Sequence, residues 1–226
     1  MMKHNDLITE SELRKPIKTT EAEKWVRSLL ERYHDTEDKK RYLILKNGIV
    51  KKVVDELIPL SRYSKHEYNQ SSIYLKYYPD SRQSFDAEFI DKNNNVIERV
   101  EVTMAISGQN RRIQDEHFIK YSHTPLFKTL KSSGKVGDRV LNEHELSCID
   151  QETIIKIQSD LLQSAYDKKQ CNITKYPDTT LLIGLDIPVH MKSEFHQIIN
   201  TFKPEINTFK AIKCVSICGL HYSCLQ

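Results

Sequence analysis

Asp86 and Glu101 are the side chains in this sequence whose types and spacing could do chemistry. They fall within residues 84–105, SFDAEFIDKNNNVIERVEVTMA. There Phe85, Ala87 and Phe89 alternate with Asp86 and Glu88, and Val100, Val102 and Met104 alternate with Glu101 and Thr103. Period-two alternation marks half-buried strands. The intervening Asp91-Lys92-Asn93-Asn94-Asn95 has turn chemistry, because Asn tolerates positive φ. A loop that closes symmetrically, on Asn93-Asn94 alone or on four residues, places Asp86 opposite Glu101. Opposed residues share a face with Cβ atoms roughly 5 Å apart. Two carboxylates at that distance repel by about 3 kcal/mol at an effective dielectric near 20. A cation between them reverses the penalty, and Mg²⁺ is typically held by one or two carboxylates plus substrate oxygens. The chemistry that follows is metal-assisted hydrolysis of a phosphodiester, with Glu88, on the face of Asp86, in reach of a second metal or a water.

The elements that must position this pair are legible as patterns. Residues 1–18 read as a polar N-terminal arm, and 19–226 as one domain. Thr19 to Glu23 looks like a helix start with acidic residues suited to the N-terminal dipole. Trp25, Val26, Leu29, Leu30 and Tyr33 follow on one helical stripe. A second amphipathic helix is expected from Ile49 to Leu60, with Pro59 disturbing its last turn. Ile73 to Tyr77 reads as a strand stopped by Pro79, and Gln109 to Tyr121 as a short helix. Residues 125–148 are irregular, and a long helix is expected over 150–169. TTLLIGLDI at 179–187 has the continuous apolar character of a strand buried on both faces. A helix at 193–202 and a strand at 209–218 complete an α/β sandwich with a mixed sheet.

Bulk composition narrows the function classes. A chain of 226 residues with 38% hydrophobic and 29% charged residues can bury one sizeable core beneath a well-hydrated surface. The net charge of +3 permits a nucleic-acid partner without demanding one. No GxGxxG or GxxxxGK[ST] pattern occurs, which removes the usual dinucleotide and P-loop readings. No secretion signal or membrane-length apolar run is visible, and five cysteines suit reduced thiols, so a cytoplasmic protein without a membrane span is expected.

The order helix, three strands, helices, strand, with Asp on the second strand and Glu on the third, resembles the PD-(D/E)xK nuclease superfamily over about residues 48–188. The resemblance implies a three-layer α-β-α sandwich of restriction-endonuclease type and hydrolysis of DNA with Mg²⁺ or Mn²⁺. Asp86 and Glu101 would be the metal ligands, Val102 would lend its backbone carbonyl, and Glu56 on the preceding helix would complete the acidic cluster. The superfamily's lysine belongs two residues after Glu101, where this chain has Thr103. Lys120, Arg111 or Arg112 on the following helix could supply the missing charge. These three would also neutralise backbone phosphates, making binding salt-sensitive. Gln114 begins a pattern similar to the Gln-x-x-x-Tyr of the RecB-like branch, ending here in Phe118. By analogy a two-fold dimer would suit cutting of a duplex.

Three other readings stand beside this one. Thr103 at the lysine position suits a nuclease-like fold without catalysis that binds nucleic acid or protein. On a plain solvated sheet face, Arg99 opposite Glu88 is an ordinary cross-strand pair. Cys214-x₃-Cys218-x₂-His221-x₂-Cys224 offers zinc-type ligands at irregular spacing, although Cys214 and Cys218 sit in an apolar strand where thiols act as small hydrophobes.

Overall fold

A computed structural model describes residues 7–33, 48–69, 72–80, 83–121, 132–133, 140–141, 150–170, 178–186, 192–204 and 209–225. Within 108–121 and in the two short pairs, the backbone alone is described at some positions, Lys120 among them. Residues 125–131, 134–139 and 142–148 of the stretch expected to be irregular lie outside the described residues, as does Ile187.

The chain forms a three-layer α-β-α sandwich. Its elements in order are α1 (Glu10–Leu13), β1 (Ile17–Lys18), α2 (Ala22–Glu31), α3 (Ile49–Lys52, Val53–Leu57 and Ile58–Glu67 in succession), β2 (Ile73–Tyr77), β3 (Ala87–Asp91), β4 (Val96–Met104), α4 (Gly108–Tyr121), β5 (Ser132–Ser133), β6 (Val140–Leu141), α5 (Gln151–Gln170), β7 (Thr179–Leu185), α6 (Lys192–Thr201), β8 (Ala211–Ser216) and β9 (Tyr222–Cys224). The seven-stranded sheet runs β1-β2-β3-β4-β7-β8-β9, and β5 and β6 pair separately. β1 through β4 form an antiparallel meander; β4, β7 and β8 are parallel; β9 returns antiparallel. The parallel strands lie in the middle, and every residue of β7 is buried, as its unbroken apolar run requires.

Two cores flank the sheet. The first joins Leu57, Leu60 and Tyr63 of α3 and Val26 and Leu29 of α2 to Phe89, Val100, Val102 and Leu182. The second joins Leu162 and Tyr166 of α5 and Phe195 and Ile198 of α6 to Leu181, Ile183 and Ile212. Alternate residues of β7 therefore feed opposite layers, as a pleated strand must. Residues 7–18, expected to be an arm, are built into the first layer: Ile8 and Leu13 are fully buried, and Ile17 pairs with Leu75. Arg32 holds the segment with two hydrogen bonds to the Glu12 carboxylate, at 2.9 and 2.6 Å. Among the described residues, no helix is long and apolar enough to cross a membrane.

Pro59 does not end the helix that contains it. The turn before it, Val53–Leu57, widens to π form, and the helix continues to Glu67, seven residues beyond the expected end at Leu60. A proline ring clashes with the carbonyl four residues earlier in a regular α-helix. A π turn relieves such a conflict locally, and π turns recur at functional sites. Gly184 lets this region approach the sheet, because a Cβ there would stand 3.0 Å from the Pro59 ring and against Met104. Glu56 lies inside the widened turn.

Candidate active site

The β3–β4 hairpin delivers Asp86 and Glu101 to one place by a route the sequence reading did not anticipate. Its loop is asymmetric: Asp91 N–H donates to Asn95 C=O at 3.0 Å, leaving Lys92, Asn93 and Asn94 as the loop, with Asn94 at φ 64°. The Asp91 carboxylate accepts from the Asn93 and Asn95 amides at 2.7 and 2.9 Å, which locks the turn. A three-residue loop by itself would slip the register by one and turn every side chain to the other face. The ladder then shifts between Ile90↔Val96 and Phe89↔Glu98, so that Ile97 is an extra, bulged residue. The bulge cancels the slip. The pairing ends at Ala87 and Val100; Asp86 N–H donates to that same Val100 C=O at 2.9 Å, one residue off the register, and the Asp86 side chain is a hydrogen-bond neighbour of Glu101.

Beyond this point β3 and β4 part. β4 continues alone beside β7 through Met104, and the Val102 amide, aimed at the gap, donates to Asp86 Oδ2 at 2.8 Å. Glu56 reaches the gap from the first helical layer and accepts a hydrogen bond from the Tyr77 hydroxyl. From the opposite layer Lys169, in the last turn of α5, ion-pairs with Glu101 Oε1.

The electrostatics of this group are unbalanced. Burial raises the pKa of Glu101 above the usual carboxylate range, and the nearby Asp86 charge adds to the effect, while Lys169 opposes it. Asp86 is likewise raised by burial, against the Val102 amide and the Lys169 charge. Burial, then the Asp86 charge, pushes Glu56 from 4.5 to about 7, with the Tyr77 hydroxyl and Lys52 pulling the other way. Among the described residues, burial and mutual repulsion thus outweigh Lys169 and Lys52 at these carboxylates.

Other residues singled out from the sequence have different surroundings. Glu88 stands opposite Arg99, and its oxygens take the Tyr78 hydroxyl at 2.6 Å and Arg99 Nε at 3.3 Å; it is engaged there rather than in the gap. Thr103 is half-buried on the strand face of Glu101, two residues on. Gln114 is half-buried on α4. Arg111 is bound by Asp115 at 3.3 Å and by Asp186, and Arg112 Nε lies 3.1 Å from Glu116, so acidic neighbours balance both arginines. Lys120 occupies the last turn of α4, and its side chain lies outside the described residues. The zinc-type residues do not assemble: Cys214 is fully buried in β8, Cys218 Sγ lies 3.2 Å from Ser216 Oγ, and His221 stacks on Phe195 at 5.4 Å. Among the described residues, no three His, Cys, Asp or Glu side chains converge to hold a metal ion by themselves. At the gap, protein donors therefore amount to the Asp86–Glu101 pair, the partial set that Mg²⁺ accepts while keeping waters and substrate oxygens.

Lys169 is the functional candidate that sequence reasoning missed. It stands 68 residues from Glu101, and in sequence it is only one of two lysines in a helix's final turn, where a cation suits the dipole. Tyr77 carries in the sequence only the signature of a strand residue. Comparison of the chain with protein-family models, with curated proteins and with solved structures finds no match, so the reading of the site rests on its geometry.

Proposed function

We propose that this chain is a metal-dependent nuclease that hydrolyses phosphodiester bonds of DNA at the gap between β3 and β4. The observation that carries the reading is the Asp86–Glu101 pair: two neighbouring carboxylates with raised pKa, flanked by Lys169 and Glu56, where two strands separate. Mg²⁺ or Mn²⁺ held by Asp86 and Glu101 would act as a Lewis acid on the scissile phosphate and lower the pKa of an attacking water. Lys169 supplies the fixed positive charge that Thr103 cannot, and steadies the negative charge that builds on the phosphate during attack. Glu56, with a pKa of about 7, can take up or release a proton near neutral pH. The free thiols Cys214, Cys218 and Cys224 favour a reducing compartment, and we place the protein in the cytoplasm.

Purified protein should cut DNA, tested as single strand and as duplex, with Mg²⁺ or Mn²⁺ and stop on addition of chelator. Asp86→Asn should lower cutting by about a thousandfold or more, as loss of a metal ligand at a hydrolytic centre does. Titration calorimetry with Mn²⁺ should show binding to the wild type and weak or no binding to Glu101→Gln. Equal cutting by wild type and Asp86→Asn would remove the assignment.

A second reading has its own observation: Lys169 already compensates Glu101. On that reading the fold binds nucleic acid without turnover, and binding persists in chelator under every divalent ion tried. Chelator-sensitive turnover discards it.

A further inference from the structure

Beside the carboxylate gap, the outer face of β2 and β3 carries an array that the hydrolytic step does not use. Lys76 Nζ lies 5.2 Å from the centre of the Tyr78 ring. Tyr78 meets Phe85 edge to face at 5.5 Å, and Arg99 Cζ lies 5.4 Å from the Phe85 ring. Cation, ring, ring and cation therefore follow one another, and the far end adjoins the site: Phe85 precedes Asp86, and Arg99 is two residues from Glu101 on the same strand face. Tyr78 and Phe85 are half-exposed and Arg99 is exposed. No residue of β2 or β3 joins the second core, so among the described residues the helical layer over β7 and β8 does not cover them. Glu88 is the carboxylate bound within the array, tying Tyr78 and Arg99 in place, and it leaves the two cations in excess by one charge.

We infer that this array is a stacking platform for single-stranded nucleic acid, and that the nuclease takes an unpaired strand as its substrate. The inference rests on the hydrolytic reading for the cut, but not for the binding. Phosphates alone would need only cations. Two aromatic rings held between them gain nothing from a duplex, whose bases are already stacked on one another, whereas an unpaired base can lie against a ring. Cation–ring contacts keep the rings oriented and place positive charge where the backbone passes. A base on Phe85 brings its own phosphodiester to the neighbouring Asp86.

The test is fluorescence anisotropy in chelator, where cutting plays no part, using oligothymidylate, oligouridylate and a duplex of equal length. Single strands should bind at least about tenfold more tightly than the duplex. Phe85→Ala and Tyr78→Ala should each weaken single-strand binding by roughly ten- to a hundredfold, the range for loss of one base–aromatic stack. Phe85→Tyr should keep it. An oligonucleotide containing 2-aminopurine should change fluorescence on binding to the wild type, which needs no variant to fold. Duplex binding as tight as single-strand binding, an unchanged 2-aminopurine signal, or alanine variants that fold and bind like the wild type would each overturn the platform. Those results leave metal-dependent cutting untouched, and absence of cutting leaves the platform untouched.

Discussion

Strand β4 carries two buried glutamates three residues apart, Glu98 and Glu101, and they live in opposite electrostatic worlds. Their exposures are nearly equal, 8% and 7%. Glu98 faces the first core. It accepts from the Tyr63 hydroxyl at 2.6 Å, the Tyr68 hydroxyl at 2.7 Å and Thr180 Oγ1 at 2.5 Å, with Lys213 Nζ 3.6 Å away. Burial, together with the Glu98 charge, raises the pKa of Tyr63 and Tyr68 well above the ordinary phenol, so both remain donors. Lys213 also donates to the Tyr63 oxygen at 2.7 Å and sits 5.0 Å from that ring's centre. Every acceptor on Glu98 has an answer. Glu101 faces the other layer, where among the described residues Lys169 is the cation against a carboxylate crowded by Asp86 and Glu56. Burial alone therefore does not mark a functional carboxylate. What separates the two is whether the protein has supplied enough donors and positive charge. A satisfied buried charge welds α3 to the sheet; an under-compensated one is suited to an external cation.

The contrast can be broken most forcefully at Lys169. Lys169→Ala should cut turnover by about two to three orders of magnitude with KM little changed, the usual effect of removing one group that stabilises transition-state charge. Adding Thr103→Lys to that variant should restore part of the loss, because position 103 shares the face of Glu101. Steady-state kinetics on both variants decide this. Full turnover in Lys169→Ala would show that the lysine only neutralises Glu101.

Stability should separate the two glutamates next. Glu98→Gln removes the buried charge to which Tyr63, Tyr68 and Thr180 donate and one of the two carboxylates 3.6 Å from Lys213, the other being Glu67, and should destabilise by about 3 kcal/mol in urea melts. Glu101→Gln relieves repulsion and should be neutral or stabilising by up to about 1 kcal/mol in metal-free buffer. Equal losses in the two variants would erase the distinction drawn here.

The last expected effect is on pH dependence. Glu56 binds its proton more tightly folded, with a pKa of about 7, than unfolded, at its ordinary 4.5. Its contribution to stability is therefore complete below about 4.5 and is lost as pH rises through about 7. Metal-free protein should be less stable at about pH 8 than at about pH 5 by on the order of 2–3 kcal/mol from this group. Glu56→Gln should flatten that slope, and Mg²⁺ should recover stability at the higher pH. A wild-type slope that Glu56→Gln leaves intact would place the titrating group elsewhere.

Much of the architecture was open to a reading of local pattern. Alternation located β3 and β4, the unbroken apolar run located β7, and helical stripes located α2, α3 and α5, because burial on one face or two imposes a period on the residues themselves. A symmetric turn pairing Asp86 directly with Glu101 was expected; the ladder instead passes a three-residue loop and a bulge at Ile97 and ends at Ala87–Val100, and the two carboxylates are neighbours just beyond that end. A bulge has little local signature, since it answers to pairing with a partner strand. The short β9 strand and the seating of Ile8 and Leu13 were missed for a similar reason: their stabilisation comes from neighbours distant in sequence.

By itself, then, the sequence determined which segments become strands and helices, and that two carboxylates alternate with apolar residues on one hairpin, because both follow from side-chain period, whereas the turn that joins the strands did not. Tertiary structure alone decided that α5 ends with Lys169 against Glu101, that a π turn aims Glu56 into the gap left by β3, and that Glu98 is fully answered while Glu101 is not. Charge balance in a buried site depends on which groups packing brings within a few ångströms, and in these cases they come from segments far apart along the chain.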